Sequence, residues 1–557
     1  MSRNLSKLSG RKGLSDNLFQ RLTRIGDEGQ VPTAPQMKEM ASDYHLGIAN
    51  IHGAATFYEF LGEEHLGKKA YVCNGSACLC AGTQAEVTGK LTARFGAGHV
   101  GHMTCLGRCH ENSAFHIQGK NYSGEDIQHL DDLLSRSGDH YAVSCVAGTA
   151  ILTGNDFADS ATFEKALRTL LAASREQVLD EIKQSGLRGR GGAGFPTGLK
   201  WESCKNVASD EKYIVCNADE GDPGAYSDRY LLEQQTHRVL FGMLVAGWIV
   251  GARSGVVYIR AEYPESIRMV EQVIQQLAAR QLIGKNILGT GVDFEARVIK
   301  GAGAYICGEE TALIASIEGR RAEVDVRPPF PTVEGLYKKP TVVNNVETFA
   351  ALPKLLALGG KQFSAIGKGK STGTKLVSLD GTFNKPGIVE VDMGYPLADL
   401  VHKIGGGFRQ PVKALHIGGP LGGLVPASKW GDLSVDFEAF SKEGFLLGHA
   451  SVVCIPESFP LAEYIRHLFA FTKAESCGKC FPCRLGSTRG TEMFDQALGG
   501  TRLLNRQLLD DLLDTMQQGS LCALGGGLPL PIKNALQYFE AELQPYFDKR
   551  IAVEVLK

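Results

Sequence analysis

The spacing of hydrophobic positions changes several times along the 557 residues, and each change marks a different kind of element. Residues 1–65 carry the three- and four-residue apolar spacing of amphipathic helices, so we predict an N-terminal helical segment there. The next part, 66–135, is predicted to be a small α/β unit. Its short apolar runs predict three strands and one helix, at 70–73, 99–104 and 114–117 for the strands and 83–95 for the helix.

The long middle part of the chain alternates strand-like and helical patterns. A helical pattern at 163–184 opens it, and strand-like runs follow at 213–217, 256–260 and 296–299. Such alternation predicts an α/β domain, which we place at 161–370. The preceding stretch, 136–160, holds Ser, Gly, Asp and Asn without a helical period, and is predicted to be a linker.

The last two hundred residues change character twice. Short strands separated by turns such as LDGTFNKPG and IGGPLGG predict a small β-rich domain at 371–455. The pattern then returns to helices at 456–557, interrupted by two turns that contain glycine and cysteine. The chain is therefore predicted to be a multidomain α/β protein.

The longest apolar run, 239–252, is the best candidate for a membrane-spanning segment. It is too short for a hydrocarbon core of about 30 Å and predicts a buried helix. The basic start, MSRNLSKLSGRKG, leads into no apolar stretch and does not resemble a signal peptide. A net charge of −2 gives no field that would favour nucleic acid or an anionic membrane. We expect a cytoplasmic protein without membrane insertion.

Fourteen cysteines are many for a cytoplasmic chain, and eight of them form two tight groups. Clustered cysteines in such proteins bind metal or carry redox chemistry more often than they form disulfides. The six outside the groups are interpreted as mostly buried small hydrophobic residues. They are Cys80, Cys145, Cys204, Cys216, Cys307 and Cys454.

The first group joins Cys73-Asn-Gly-Ser-Ala-Cys78 to Cys105-Leu-Gly-Arg-Cys109. Four thiolates suit zinc or a [2Fe–2S] cluster equally well as ligands. Zinc sites favour C-x2-C pairs, whereas C-x4-C with C-x3-C favours the iron–sulfur cluster. Cys80 is close enough to compete as a ligand, and four purely structural cysteines are the remaining alternative.

The second group is Cys477-Gly-Lys-Cys480-Phe-Pro-Cys483, with Cys522 farther along the chain. Three cysteines spaced C-x2-C-x2-C with one remote cysteine are the pattern of a [4Fe–4S] cluster. A zinc site would more often show two C-x2-C pairs.

A glycine-rich loop, GLRGRGGAGFPTGLKW at 186–201, contains the spacing G-x-G-x-x-G. It follows a predicted helix instead of a strand, so it is not the usual dinucleotide fingerprint. Its glycines and nearby cations, Arg188, Arg190 and Lys200, still predict a phosphate cradle, with a flexible turn as the alternative. The motifs NADEGDPG and GAGAYICGEET add carboxylates that suit hydroxyl and ring N–H groups of a flavin nucleotide and a second nucleotide.

These motifs, together with RPPFP, VNNVET and ESCGKCFPCR, resemble the NADH-binding flavoprotein subunit of respiratory complex I. The unit around Cys73 and Cys109 resembles the thioredoxin-like [2Fe–2S] subunit beside it, here fused into one chain. The fusion and the tail GSLCALGGGLPLPIKNAL are closer to NAD-coupling subunits of soluble formate dehydrogenases and NAD-reducing hydrogenases. The resemblance implies a thioredoxin-like [2Fe–2S] domain, a Rossmann-like FMN and NAD(H) domain, a β-grasp-like domain and a helical [4Fe–4S] domain, in chain order.

The resemblance also implies the residues that surround each cofactor. FMN would have as neighbours Gly189, Arg190, Gly191, Gly192, Lys200, Asn217, Asp219, Glu220, Tyr305, Gly308, Glu309, Asn344 and Asn345. NAD(H) would lie near Phe195, Asp222, Glu310, Arg327 and Phe330. No side chain is expected to act as acid, base or nucleophile, because the flavin carries the hydride chemistry, with Glu310 and Asp222 nearby.

Three residues differ from the family pattern at positions that are expected to contact the nucleotide. Asp222 stands where Glu is frequent, Arg327 where Lys is usual, and Ser203 where an aromatic residue often contacts the adenine. Arg327 could meet a 2′-phosphate, which leaves NADP open.

The expected partner is a catalytic subunit that exchanges single electrons with this chain. A formate dehydrogenase with a molybdopterin and iron–sulfur subunit is the first expectation. An NAD-reducing or electron-bifurcating hydrogenase and a complex I-type quinone reductase are the alternatives. A non-catalytic iron–sulfur scaffold is the alternative from another class, but it gives no reason for the flavin-type loop.

Overall fold

The structure, a computed structural model, describes residues 13–133 and 141–548. The N-terminal segment is helical within 13–65, as predicted, and residues 1–12 of that prediction lie outside the described ranges. Its helices pack against the central α/β domain. Phe19 and Leu22 share a hydrophobic cluster there with Ile299 and Ile314. They are α1 (Leu18–Asp27), α2 (Ala34–Asp43) and α3 (Ile48–Ala55).

The thioredoxin-like domain has a four-stranded sheet in the order β2-β1-β3-β4. β1 pairs in parallel with β2 and antiparallel with β3, and α5 covers the sheet through Val87 and Leu91. Its elements are β1 (Ala70–Cys73), α4 (Ser76–Cys80), α5 (Gln84–Phe95), β2 (Val100–Met103), β3 (Phe115–Ile117) and β4 (Lys120–Tyr122). The predicted strands and helix are present, with ends that differ by one residue.

The stretch predicted to be a linker, 136–160, is more ordered than expected where the structure describes it. Residues Ala142–Cys145 form β5, and residues 134–140 lie outside the described ranges. β5 pairs in parallel with a strand of the third domain, from Ala142 opposite Gly387 to Cys145 opposite Glu390. A four-residue strand that pairs only with a distant segment has too little local pattern to be recognised in the sequence.

The central domain contains a parallel sheet in the order β8-β7-β6-β9 with helices around it. The strands are β6 (Tyr213–Ala218), β7 (Ser254–Ile259), β8 (Glu295–Lys300) and β9 (Thr341–Asn345). The helices are α6 (Ser160–Ala172), α7 (Arg175–Gln184), α8 (Thr197–Asn206), α9 (Ser227–Gln234), α10 (Thr236–Val250), α11 (Pro264–Ala279), α12 (Glu310–Ile317), α13 (Pro331–Glu334), α14 (Val346–Ala350), α15 (Leu352–Leu358) and α16 (Gly360–Ser364).

Two predictions about helices of this domain have different outcomes. The apolar run at 239–252 belongs to the buried helix α10, as predicted. The single helix predicted at 163–184 is wrong, because the chain breaks between α6 and α7. Ser174 begins α7 with a capping box in which its side chain and that of Gln177 each accept from the other's backbone N–H. Among the described residues, no helix is long and apolar enough to cross a membrane.

The third domain is built on a six-stranded sheet in the order β15-β14-β16-β12-β13-β5. Its remaining elements are β10 (Gly367–Lys368), β11 (Ser371–Thr372), β12 (Thr374–Leu379), β13 (Gly387–Asp392), α17 (Leu397–Asp399), β14 (Val412–Ile417), β15 (Gly423–Pro426), α18 (Phe437–Lys442) and β16 (Ser451–Pro456). The C-terminal part is helical, with α19 (Leu461–Glu475), α20 (Phe481–Leu498), α21 (Arg506–Gly519), α22 (Ala523–Gly527), α23 (Pro529–Tyr538) and α24 (Glu540–Leu543).

Candidate functional site

The four cysteines of the second group line one cavity, together with Lys479, Leu521 and Leu524. Three of them lie at helix N-termini: Cys480 caps α20, Cys483 is in its first turn, and Cys522 caps α22. Free N–H groups at a helix start favour thiolates. Burial is the main cause that raises the pKa of the Cys483 thiol to about 11, and a bound cation would favour its thiolate form.

The four cysteines of the first group are also brought together, and all four are buried. The sulfur atoms of Cys105 and Cys109 are 3.5 Å apart, and the Gly75 N–H donates to Cys73 Sγ at 3.4 Å. A hydrogen bond with Cys78, in addition to N–H groups, lowers the pKa of Cys73 to about 7. A Cβ on Gly75 would lie 3.4 Å from both the Cys73 sulfur and Cys105 Cβ, so glycine keeps the two halves close.

Cys80 is buried nearby, but its electrostatic neighbours are Asp380, Cys454 and Tyr464 instead of the four sulfurs. We therefore keep it outside the ligand set. Of the six remaining cysteines, five are buried as predicted. Cys145 is exposed, because β5 is an edge strand and presents that side chain to solvent.

The predicted flavin residues meet at the carboxyl edge of the parallel sheet. The glycine loop turns back on itself, with the Gly189 N–H donating to Phe195 O at 2.9 Å, and leads into α8. A Cβ on Gly191 would lie 3.1 Å from Asn345 Cβ at the end of β9, and Gly192 has φ of +117° and faces Gly448. The loop therefore lies directly against the strand ends, where α/β folds bind ligands.

Lys200 and Glu310 form the charged part of this edge. Lys200 Nζ donates to Val343 O at 3.0 Å and lies 3.3 Å from Glu310 Oε2. Arg327 Nη1 donates to the other Glu310 oxygen at 2.9 Å, and Arg327 Nη2 is 3.8 Å from Glu309. Glu310 is thus held between two cations. Phe195 shortly precedes α8 and Phe330 immediately precedes α13, and both side chains are more than half exposed.

The acidic motif after β6 is fixed by contacts to the segment 305–308. Asn217 Nδ2 donates to Gly308 O at 2.8 Å, and the Tyr305 hydroxyl donates to Asp222 Oδ1 at 2.6 Å. Asp219 Oδ2 is buried and has no hydrogen-bond partner among the described residues. Burial raises the pKa of Asp219 well above its usual range. An unpartnered buried acceptor at the carboxyl edge fits a ligand that brings hydroxyl or N–H donors.

Several residues that the resemblance places beside FMN also support the backbone around it. Glu309 caps α12 by accepting from Thr311 N and Ala312 N, and Asn345 caps α14. Asn344 accepts from Trp201 Nε1 at 2.9 Å. The Arg190 guanidinium is fully buried and donates to Thr372 O of the third domain at 2.5 Å. The sequence places Arg190 among the cations of the loop, but its contacts tie the loop to its neighbour.

Glu220 belongs to a buried network that the sequence did not reveal. Its carboxylate accepts from the N–H groups of Asp228 at 2.9 Å and Arg229 at 3.1 Å at the start of α9. His449, from the third domain, lies 3.2 Å from Asp228 Oδ2, and Asn345 donates to the same oxygen at 2.6 Å. Burial, and then the charge of Asp228, raise the pKa of Glu220 to about 8. Asp228 and His449 lie more than 200 residues apart, and no local motif joins them.

The edge as a whole fits FMN. Glycines permit close backbone approach, Lys200 supplies a positive charge for a phosphate, and Asp219 offers a free acceptor. Both cysteine groups present four sulfur donors, which fits iron–sulfur clusters.

Comparison with known proteins agrees with this geometry. Residues 182–354 match the Nuo51 FMN-binding domain, residues 463–546 the iron–sulfur binding region of NADH-ubiquinone oxidoreductase-F, and residues 7–137 the thioredoxin-like [2Fe–2S] ferredoxin. The NADP-reducing hydrogenase subunit HndC of Solidesulfovibrio fructosivorans is 42% identical over 69% of this chain and 79% of its own. The alpha subunit of the NAD-reducing hydrogenase HoxS of Cupriavidus necator is 34% identical over 93% of this chain and 92% of its own.

A solved structure covers nearly the same extent. A chain of an NAD⁺-reducing [NiFe]-hydrogenase in the H2-reduced state superposes with a TM-score of 0.84 at 27% identity, over 96% of this chain and 93% of that one. The protein belongs to the family of NADH-binding subunits that carry FMN and a [4Fe–4S] cluster, fused to a thioredoxin-like [2Fe–2S] domain. It is an oxidoreductase component that acts on NAD(H).

Proposed function

We propose that this chain is the NAD(H)-converting subunit of an NAD-reducing hydrogenase. The observation that carries the proposal is the extent of the HoxS match, which includes the fused [2Fe–2S] domain. By contrast, an NADH-quinone oxidoreductase subunit of Rhizobium meliloti matches 69% of this chain, at 40% identity. The hydrogenase alternative is thus better supported than formate dehydrogenase, which stays a prediction, as does the cytoplasmic location.

The residues at the sheet edge have separate tasks in this proposal. Bound FMN would supply the hydride exchange with NAD(H) and the exchange of single electrons with the clusters. Lys200 and the loop around Gly191 hold its phosphate, while Asp219 accepts from its hydroxyl or ring N–H groups. No side chain is required to transfer a proton to or from carbon. The protein supplies position and electrostatics.

The nucleotide is held beside Glu310 and the exposed rings of Phe195 and Phe330. Arg327 faces this site, but its charge is already paired with Glu310 and is close to Glu309. A 2′-phosphate would have to displace these carboxylates from Arg327 or lie beside them. We infer a preference for NAD(H) over NADP(H) on this ground.

The [4Fe–4S] site is the proposed point of electron exchange with the partner subunit. Cys480 and Cys522 are only half-buried. Around them lies an apolar surface formed by Phe481, Leu485 and Leu521, which are 67%, 58% and 41% exposed. Exposed apolar groups gathered beside a redox site fit a protein–protein interface better than a solvated surface.

Anaerobic purification of the complex with its partners tests this function. We expect a co-purifying nickel–iron subunit, hydrogen-dependent reduction of NAD⁺, and one FMN with two distinct cluster signals in this chain. A molybdenum or tungsten subunit with formate-dependent activity would overturn the hydrogenase assignment. Full flavin and cluster content without any NADH-dependent flavin reduction would overturn the assignment to NAD(H) chemistry itself.

A further inference from the structure

Arg260 links the predicted flavin site to the [2Fe–2S] domain. It follows β7 and is 4% exposed. Its Nη1 donates to Glu220 O at 2.5 Å, and its Nη2 donates to Thr104 O at 2.6 Å. Glu220 lies within the acidic motif beside the flavin edge, and Thr104 immediately precedes the cysteine ligand loop that starts at Cys105. One guanidinium group therefore joins two segments that carry different redox centres.

The surroundings of Arg260 are strongly acidic. It lines a cavity together with Glu59, Asp219, Glu262 and Glu475, and it is the one cation among the described residues that line this cavity. Glu262 Oε1 accepts from Arg260 at 2.7 Å, whereas Glu262 Oε2 has no partner in the described part of the chain. A guanidinium cannot release its proton in a protein, so its positive charge is permanent.

The same charge acts on the cysteine ligands. Arg260 Nη2 is 2.6 Å from the carbonyl oxygen of Thr104, the residue directly before Cys105, so the guanidinium lies beside the first ligand of this loop. A fixed charge that stabilises thiolates also stabilises the extra electron of a thiolate-bound cluster, because both changes add negative charge at one place.

We propose that Arg260 is a positioning residue that raises the reduction potential of the [2Fe–2S] cluster and holds its ligand loop against the flavin edge. The proposal rests on the proposed function for the identity of the two centres. Removing the guanidinium would leave the carboxylates of the cavity uncompensated, and the cluster would become harder to reduce. Arg260 thus sets how readily the [2Fe–2S] cluster competes for electrons from the flavin.

Redox titration of the holoenzyme, followed by electron paramagnetic resonance, tests the proposal directly. We expect Arg260→Gln to reduce the equilibrium constant for [2Fe–2S] reduction about tenfold, which is 59 mV for one electron. Arg260→Lys keeps the charge and should stay closer to wild type. The [4Fe–4S] signal should move less than the [2Fe–2S] signal. Equal [2Fe–2S] potentials in the Gln and Lys variants would overturn the electrostatic role.

Two further variants keep the test decisive if Arg260→Gln fails to assemble the cluster. Glu262→Gln removes a negative charge from the same cavity, so it should raise the [2Fe–2S] potential; a fall or no change would overturn the proposal. Arg229→Met is the matched control, because Arg229 is also buried and donates to Gly107 O of the same loop. A drop as large as that of Arg260→Gln would overturn the assignment of this role to Arg260. Chemical mediators replace NADH in these titrations, so a failed NAD(H) assignment would not affect them.

Discussion

The two cysteine sites of this protein use the same ligand atom but differ in access. All four cysteines of the first site are at most 3% exposed. Neighbouring domains close around them: Gly381 of the third domain donates to Cys109 O at 2.8 Å, and His467 of the helical domain lies 3.0 Å from Ser76. At the second site, Cys480 and Cys522 are half-buried and lie among exposed apolar side chains. Cysteine spacing thus indicates the kind of cluster, whereas the packing of domains decides which cluster a partner can reach.

Loss of the [4Fe–4S] site, the more exposed of the two, should have the largest effect on turnover. Cys480→Ala should lower partner-linked turnover by about 100-fold or more, which corresponds to about 2.7 kcal/mol. Reduction of bound flavin by NADH should remain, because the sheet edge does not include Cys480. Steady-state turnover and stopped-flow flavin reduction measure the two steps. Cys145→Ala, at an exposed cysteine in neither site, is the control. Persistence of turnover without a [4Fe–4S] signal would refute electron exchange with the partner through this site.

A substitution in the glycine loop should remove FMN and leave both iron–sulfur clusters in place. A valine at Gly191 would press on Asn345, and over-packing of this kind costs about 1–3 kcal/mol. We expect Gly191→Val to lose FMN while both paramagnetic signals remain after chemical reduction. Gly89→Val is the control, since a Cβ at Gly89 meets nothing within 4 Å. Retention of one FMN per chain by the Gly191 variant would disprove the phosphate cradle.

A smaller effect is expected at the nucleotide site, which lies apart from both cysteine sites. Glu310→Gln should raise the KM for NADH or slow flavin reduction several-fold or more, consistent with a charge-assisted hydrogen bond of ~1.5–3 kcal/mol. It should also raise activity with NADPH relative to NADH, because Arg327 loses its counter-charge. Diaphorase kinetics with both nucleotides measure this, with the exposed Glu334→Gln as control. Unchanged kinetics would exclude Glu310 from the nucleotide site.

Loss of the buried [2Fe–2S] site should have the smallest effect on turnover. Cys78→Ala should remove the [2Fe–2S] signal and leave most of the turnover, because its four cysteines are buried beneath neighbouring domains. Cys80→Ala, two residues away at a buried cysteine, should keep the signal. Thermal unfolding must accompany both, since a lost cluster can reduce local stability. If the Cys78 variant stops turnover while fold and flavin are intact, then the [2Fe–2S] cluster lies on the main path.

Local patterns were enough for most elements and for the grouping of the cysteines. The strand at Ala70–Cys73 and the helix α10 follow directly from apolar spacing. The break at Ser174 was missed because apolar spacing continues across it, although its capping box could have been noticed. The orientation of Arg190 and the contacts of Arg260 could not be predicted, since both depend on residues from other domains. The same holds for His449, which reaches Asp228 only in the folded chain.

The strand β5 determines how the molecule can be divided for experiments. Glu390 on β13 is fully buried and accepts from the N–H groups of Ile151 at 2.7 Å and Leu152 at 3.0 Å. A fragment that begins at residue 161 would lack these donors and would expose β13 as a new sheet edge. An exposed edge of this kind invites pairing with other chains. A flavin fragment should therefore begin before Ala142, at residue 141, if it is to stay monomeric.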